Sequence, residues 1–224
     1  MNIWLILILV MVLSYIIQNT LQRRFAKYSQ VPTTSGLSGA EVARKMLLDN
    51  GIYDVQVMSV KGELTDNYNP QTKTINLSEA VYSQRSVAAA AVAAHECGHA
   101  VQHASGYAPL KLRSALVPVV TFANNTVQWV LLLGVLMINV MPSLLWLGIA
   151  LFAMTTLFSL VTLPVEINAS GRALAWLDST GVTDSETASM AQDALKWAAY
   201  TYVIAAIGSL ATLLYYISIA QRRN

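Results

Sequence analysis

The chain alternates between long stretches without any charged residue and shorter stretches rich in charged and polar ones. Residues 2–22, 114–165 and 197–221 contain no Asp, Glu, Lys or Arg. A helix needs about 20 apolar residues to cross a bilayer, so the first and last stretches suffice for one crossing and the middle one for two. A polar break at 139–143 divides that middle stretch. The pattern predicts a mainly α-helical membrane protein with about four transmembrane helices.

The polar part between the first two stretches has the pattern of a small α+β module. A capping box at 38–41 begins an amphipathic helix that should end at Gly51. Residues 53–57 alternate between apolar and polar side chains, which predicts a half-buried strand. Residues 64–69 and 73–77 flank turn-forming residues and predict a β-hairpin. About 80 residues are enough for one compact catalytic module and too few for a second domain.

These patterns predict a division of the chain into five parts. The first part reads as a retained anchor, because it lacks a basic n-region and a small-residue cleavage site. The expected parts are an N-terminal transmembrane anchor at 1–21, a cytoplasmic α+β module at 22–115, a transmembrane helical hairpin at 116–163, a cytoplasmic helical segment at 164–197 and a C-terminal transmembrane helix at 198–220.

The distribution of basic residues predicts the orientation in the membrane. Every Lys and Arg except Arg222 and Arg223 lies in 22–115 or 164–197. Basic residues are enriched in cytoplasmic loops, so we expect a multi-pass cell-membrane protein with both of these segments in the cytoplasm. Arg222 and Arg223 conflict with this orientation. The conflict disappears if the last segment lies along the interface, but a full crossing is the prediction.

The composition supports a membrane protein and argues against other classes. Hydrophobic residues make up 55% of the chain and charged residues only 12%, against roughly 25% charged in soluble domains. The net charge of +2 comes without a basic stripe, so no nucleic-acid partner is expected. No Gly-rich, Lys-containing phosphate loop is present, so no nucleotide is expected. Cys97 is a single cysteine and therefore predicts a reducing compartment, with a buried small side chain rather than a catalytic thiol.

Residues 95–99 carry the most specific chemical signal. Two histidines four positions apart, His95 and His99, lie on one face of a helix and can bind one zinc ion. Glu96 lies one position along, where its carboxylate can reach a water beside the metal and act as general base. The sequence therefore predicts a metal site with His95 and His99 as ligands and Glu96 as the catalytic residue.

The surroundings of this motif favour a helix. Residues 86–94 are rich in Ala and contain neither Gly nor Pro. Gly106 and Pro109 follow where the helix should stop. The alternative interpretation is a helix whose histidines only form hydrogen bonds in a protein core.

A catalytic zinc site needs a third protein ligand, and Glu166 is the best candidate. It is the first charged residue after the membrane hairpin and should emerge on the same side as His95. An acid beside an apolar span is costly unless it is paired or binds a metal, although a solvated interfacial acid is the alternative. His103 lies on the same helix and is predicted beside the site or at the surface. Weaker acidic candidates are Asp178, Asp184 and Glu186, the last two within a predicted capping box at 183–186.

Nearly the whole chain resembles the YugP-like neutral zinc metallopeptidases, which are similar in style to the HtpX-type membrane proteases. The resemblance rests on the N-terminal anchor, on residues 77–82 (LSEAVY), 95–102 (HECGHAVQ) and 163–173 (LPVEINASGRA), and on the two membrane segments between the last two motifs.

The resemblance implies a zincin-like fold for the module and a gluzincin site. One Zn²⁺ ion would be held by His95, His99 and Glu166, with Glu96 as base. Where the HtpX-type pattern has Asp four residues after the third ligand, this chain has Ser170. Ser170 or Asn168 is therefore expected to orient a ligand histidine. Arg172 is expected either near the site or at lipid phosphates.

The predicted function is zinc-dependent hydrolysis of peptide bonds in membrane-associated or unfolded proteins at the cytoplasmic face. The expected partners are a protein or peptide substrate and the lipid bilayer. The hairpin at 64–77 is either a substrate-binding edge or purely structural. One alternative function is a non-catalytic metal-binding scaffold, which would need four closed protein ligands. A transporter is the other, but the spans carry no charge to form an ion path.

Overall fold

The fold was taken from a computed structural model, which describes residues 3–62 and 65–222. The described part is mainly helical and contains a small mixed sheet. Its helices are α1 (Ile3–Tyr28), α2 (Gly39–Asp49), α3 (Glu79–Ser83), α4 (Val87–Ala104), α5 (Ala108–Leu136), α6 (Pro142–Ser179) and α7 (Ser185–Gln221), and its strands are β1 (Gln56–Val60), β2 (Asn67–Asn69) and β3 (Thr74–Ser78).

Four helices, α1, α5, α6 and α7, are long and apolar enough to cross a membrane, as the charge-free stretches predicted. Helix α6 has 38 residues and is therefore about 57 Å long at ~1.5 Å per residue. The hydrocarbon core is only about 30 Å thick. Helices α6 and α7 each continue without a break through one of the predicted part boundaries, at 163–164 and 197–198. The charged ends of both helices thus extend beyond their charge-free stretches and pack against α4.

The polar module has the predicted helix and hairpin. Ser38 caps α2 in a capping box with Glu41, and Gly51 follows the helix with a positive φ of 70°. Strands β2 and β3 pair in antiparallel fashion, and β1 pairs with β3 in parallel, giving the order β1-β3-β2. Residue 64, at the start of the predicted hairpin, lies outside the described residues.

Two local predictions were displaced along the chain. The strand predicted at 53–57 lies at Gln56–Val60 instead, because pairing with β3 begins only at Gln56. The capping box predicted to begin at Thr183 begins at Asp184, whose side chain accepts from the backbone N–H of Thr187 and leaves Thr183 buried. The strand is thus shifted by three residues and the capping box by one.

Helix α4 lies at the centre of the main hydrophobic core. Its alanines between positions 88 and 94 are nearly inaccessible to solvent, and α2, α6 and α7 pack against them. Ser86 caps its first turn, and Gly106, with a φ of 66°, follows its end. Pro109 lies in the first turn of the next helix, α5. Small side chains along α4 let three neighbouring helices approach closely, which brings distant parts of the chain to its motif face.

Candidate metal site and cleft

The side chains of His95, His99 and Glu166 converge on one point. One potential ligand atom from each lies within 4.8 Å of those from the other two. Glu166 Oε2 is 3.2 Å from His95 Nε2 and 3.4 Å from His99 Nε2. Within residues 3–62 and 65–222, this is the group of His, Cys, Asp and Glu side chains able to hold a metal ion. The three residues proposed from the sequence as ligands are therefore neighbours in the fold.

A close crossing of α4 and α6 brings Glu166 to the histidines. Gly98 lies at this crossing, where a Cβ atom would be only 2.5 Å from the carbonyl oxygen of Ala169. The two helix backbones can approach this closely only because Gly98 has no side chain. The Glu166 carboxylate is consequently buried at the face of α4 that carries the motif, with its side chain 3% exposed.

Gln102 determines which ring nitrogen of His99 carries the proton. Its side-chain Nε2 donates to the Val165 carbonyl oxygen at 2.8 Å and to Asn168 Oδ1 at 3.0 Å. Arg172 Nε also donates to Asn168 Oδ1, at 2.9 Å, which marks that atom as an acceptor. Gln102 Oε1 therefore faces His99 Nδ1 at 3.1 Å and accepts its proton. A neutral His99 then presents the lone pair of Nε2 toward Glu166.

This donor set fits a small divalent cation. A lone pair on His99 Nε2 that faces a carboxylate oxygen at 3.4 Å is repulsive unless a proton or a cation lies between them. Two ligands at about 2.0–2.1 Å from a tetrahedral zinc ion lie roughly 3.3 Å apart. The observed separations from Glu166 Oε2 to the two imidazoles, 3.2 Å and 3.4 Å, match that spacing. Two imidazole nitrogens and one carboxylate oxygen are also ligands that zinc takes.

Ser170 occupies the position from which it was expected to orient a ligand histidine. Its Oγ lies 3.1 Å from Nδ1 of His95, and both residues are partly buried. Asn168 acts one step further away, because it contacts Gln102 rather than a histidine ring. Arg172 hydrogen-bonds to Asn168, so its head group belongs to this network.

Arg113 and Tyr202 also belong to the site, and the sequence did not indicate either role. Arg113 Nη1 donates to Glu166 Oε1 at 3.1 Å, while the other oxygen of this carboxylate faces the imidazoles. Tyr202 lines two cavities that Glu166 also borders. In the sequence analysis, Arg113 contributed only to the predicted orientation in the membrane. Arg113 and Glu166 directly flank the charge-free stretch 114–165, and an acid and a base at the same level of the membrane commonly pair.

Glu96 lies beside the three converging residues and is buried, with 8% of the residue exposed. Burial raises the pKa of its carboxyl, and the neighbouring imidazoles of His95 and His99 only partly offset this effect. A carboxyl group with a raised pKa that opens into a cleft is typical of a general base or acid.

A cleft of about 560 Å³ opens in front of these residues. Strand β2, the turn after it and the first part of α5 contribute to its lining. Besides His95, Glu96, His99 and Glu166, its lining includes Asn67, Tyr68, Gln71, His103, Arg113 and Tyr202. Among the described residues, strand β2 is an edge strand that pairs with β3, and its Asn67 and Tyr68 line the cleft.

The remaining residues that the sequence singled out lie outside the converging group. His103 is exposed, and its Nδ1 is 2.8 Å from the Tyr68 hydroxyl at the cleft wall. Asp178, Asp184 and Glu186 do not belong to the group of potential ligands. Cys97 is fully buried and its thiol contacts the Ala43 carbonyl oxygen. Burial raises the pKa of this thiol well above its usual range, which agrees with a packing role.

Comparison with known proteins agrees with this geometry. Residues 3–221 match the model of a family described as "Putative neutral zinc metallopeptidase". The chain is 44% identical over 207 residues to "Putative membrane protease YugP" of Bacillus subtilis (strain 168), covering 92% of this chain and 91% of that protein. No solved structure matches at a significant level. The family match spans both the membrane helices and the converging residues, and the chain belongs to the neutral zinc metallopeptidase family.

Proposed function

We propose that this protein is a membrane-embedded, zinc-dependent endopeptidase of the gluzincin type. His95, His99 and Glu166 would hold one zinc ion, and Glu96 would act as the general base. The observation that carries the proposal is the approach of both histidine Nε2 atoms to one oxygen of a buried carboxylate from a distant helix. The cleft beside Glu96 supplies room for a polypeptide.

The chain's own residues divide the reaction among them. A zinc ion held by His95, His99 and Glu166 would supply a Lewis acid for the scissile carbonyl and for the attacking water. Glu96 takes the proton of the attacking water and transfers it to the leaving amine. Arg113 holds Glu166 Oε1, so the other oxygen stays directed at the imidazoles. Gln102 and Ser170 hold the two rings in place through their Nδ1 atoms.

The proposed substrates are membrane-associated or unfolded proteins that reach the cytoplasmic face. Strand β2 can pair with an extended chain, since it lies at the edge of the sheet and two of its residues line the cleft. A folded domain offers no extended segment for such pairing. Substrates must therefore be unfolded at the cleaved position.

A non-catalytic metal-binding scaffold is the competing function. A structural zinc site is closed by four protein ligands, whereas the described residues bring three to this point. The position beside them opens into the cleft and is bordered by Glu96. An open position next to a buried carboxylate favours catalysis over a structural role.

Replacement of the proposed base separates these functions. We expect Glu96→Gln to retain one zinc per chain but to lose casein cleavage by at least about a hundredfold, because general base catalysis typically contributes 10²–10⁴. Zinc content by elemental analysis and casein digestion with and without a chelator measure the two quantities. Glu79→Gln, at an exposed acid of α3, is the matched control and should change neither. Undiminished cleavage by Glu96→Gln would remove Glu96 from this role.

A further inference from the structure

The proposed metal site borders a second, smaller cavity besides the main cleft. This cavity has a volume of about 160 Å³. It shares Asp66, His95, Glu96, Glu166 and Tyr202 with the main cleft, so both spaces border the converging side chains. A polypeptide lying across the site would therefore enter both spaces.

The two spaces differ in the chemistry of their walls. The main cleft combines polar and basic side chains such as Gln71, His103 and Arg113 with the apolar Leu110, Val117 and Phe158. The walls of the smaller cavity, which we call the apolar arm, are mostly aliphatic or aromatic. They are formed by Leu21 and Phe25 of α1, Val92 of α4, and Leu195, Ala198 and Ala199 of α7, together with Asp66 and Ser170. An aliphatic or aromatic side chain is the group that such a space stabilises.

Contacts with α7 hold the end of α1 that lines the apolar arm. Leu21 and Phe25 are four residues apart and lie on one face of α1. The same end of the helix is held against α7 because Arg24 Nε lies 3.4 Å from Asp193 Oδ2 and the Tyr28 hydroxyl donates to this carboxylate at 2.7 Å. The predicted membrane anchor is thus also a wall of the site.

The apolar arm lies where the charge-free stretches begin. On α1, Leu21 is within the stretch 2–22, and on α7, Ala198 and Ala199 are within 197–221. A shallow groove continues between the same two helices farther along those stretches. It is lined by Ser14, Tyr15, Ile17, Gln18, Thr201, Ile204 and Ala205. The seam between α1 and α7 therefore leads from the metal site toward the part of the protein suited to the bilayer.

We propose that α1 forms a specificity-determining subsite of the peptidase. The apolar arm would take a large apolar side chain next to the cleaved bond, from a polypeptide segment that adjoins a membrane-embedded stretch. The polar continuation of the same polypeptide would lie in the main cleft beside β2. This inference rests on the proposed peptidase function and adds which side chains select the bond.

The test alters the arm from both walls and reads the cleaved bonds. Phe25→Ala enlarges the arm, and Ala199→Trp fills it. The zinc-loaded protein in detergent digests β-casein, and mass spectrometry identifies each cleaved bond. Phe122→Ala and Ile207→Trp are matched controls, because these side chains are 64% and 56% exposed and line none of these spaces.

We expect Ala199→Trp to reduce cleavage at bonds flanked by Leu or Phe by about tenfold relative to other bonds, the scale at which an apolar pocket discriminates. Phe25→Ala should shift the preference among apolar side chains toward larger ones. Both controls should reproduce the wild-type profile. Zinc content, measured in parallel, shows that each variant keeps an intact site, and Leu21→Ala replaces Phe25→Ala if the latter loses zinc.

An unchanged bond profile in zinc-containing Ala199→Trp and in the enlarged variant would overturn this inference and leave the peptidase function standing. A wild-type protein that holds zinc but cleaves no bond would overturn both proposals. A profile that changes equally in the controls would show that the effect does not come from the apolar arm, and it would also overturn the inference.

Discussion

At the scale of single residues, the site depends on how the histidine rings are oriented. Gln102 is fully buried, and its amide spans the space between α4 and α6. Its Nε2 donates to two oxygen acceptors, Val165 O and Asn168 Oδ1. Its Oε1 is therefore the atom that faces His99, and it accepts a proton from Nδ1 of that ring. Such an outer partner fixes the tautomer that a metal ligand needs. The orientation of His99 therefore depends on Gln102, which lies outside the motif at 95–99.

Removing this partner should weaken zinc binding without removing a ligand. We expect Gln102→Leu to lower zinc affinity by about 10–100-fold, the usual effect of losing such a partner. Titration of the purified protein with zinc against a competing chelator measures the affinity. Gln84→Leu, at an exposed Gln after α3, is the control. Equal zinc affinity in Gln102→Leu and wild type would show that His99 is oriented by other contacts.

At the scale of elements, the crossing of α4 and α6 decides whether the ligands meet. Helix α4 supplies two imidazoles and α6 supplies the carboxylate. The contact point is Gly98 against the backbone at Ala169, only three residues from Glu166 along α6. A change of a few tenths of an ångström in this crossing would move the carboxylate relative to both rings. The closeness of the helices is thus a condition for the metal site.

A methyl group at the crossing should therefore destabilise both the fold and the site. We expect Gly98→Ala to lower the free energy of unfolding by about 1–3 kcal/mol, as overpacking does, and to weaken zinc retention. Gly171→Ala is the matched control on α6, because its Cβ would meet no atom within 4 Å. This control should be neutral or stabilising by up to about 1 kcal/mol, since Ala favours helix over Gly. Denaturation in mixed micelles measures both variants, and similar stability for the two would contradict tight packing at Gly98.

At the scale of the whole molecule, the site and the turn between α5 and α6 lie at opposite ends of two long apolar helices. The site is beside the start of α5, and the turn at 137–141 follows its end. The basic residues near the site lead us to expect it in the cytoplasm, because such residues are enriched in cytoplasmic loops. The turn should then face the other side of the membrane.

Labelling of single introduced cysteines tests this orientation. We expect a membrane-impermeant maleimide, added to intact cells, to label Met141→Cys in the turn and not Gln71→Cys in the cleft wall. Both positions are exposed to the surroundings of the protein. The native Cys97 gives a silent background because it is buried and its thiol has a raised pKa. Both variants should react after permeabilisation, and labelling of Gln71→Cys in intact cells would contradict the cytoplasmic orientation.

Local sequence was sufficient for the features that depend on near neighbours along the chain. Charge-free length predicted the four apolar helices, and the spacing of His95 and His99 predicted one helix face. The cap at Ser38 was predictable because a capping side chain bonds the backbone three residues away. The resemblance also named the family that the comparisons show.

The tertiary structure alone decided what distant parts of the chain do to one another. It brought Glu166 to the two histidines, paired it with Arg113 and placed Phe25 of α1 at the smaller cavity. It also chose the register of β1, which depends on pairing with β3. No local pattern encodes such contacts, because they arise when small side chains let helices from opposite ends of the chain pack closely around α4.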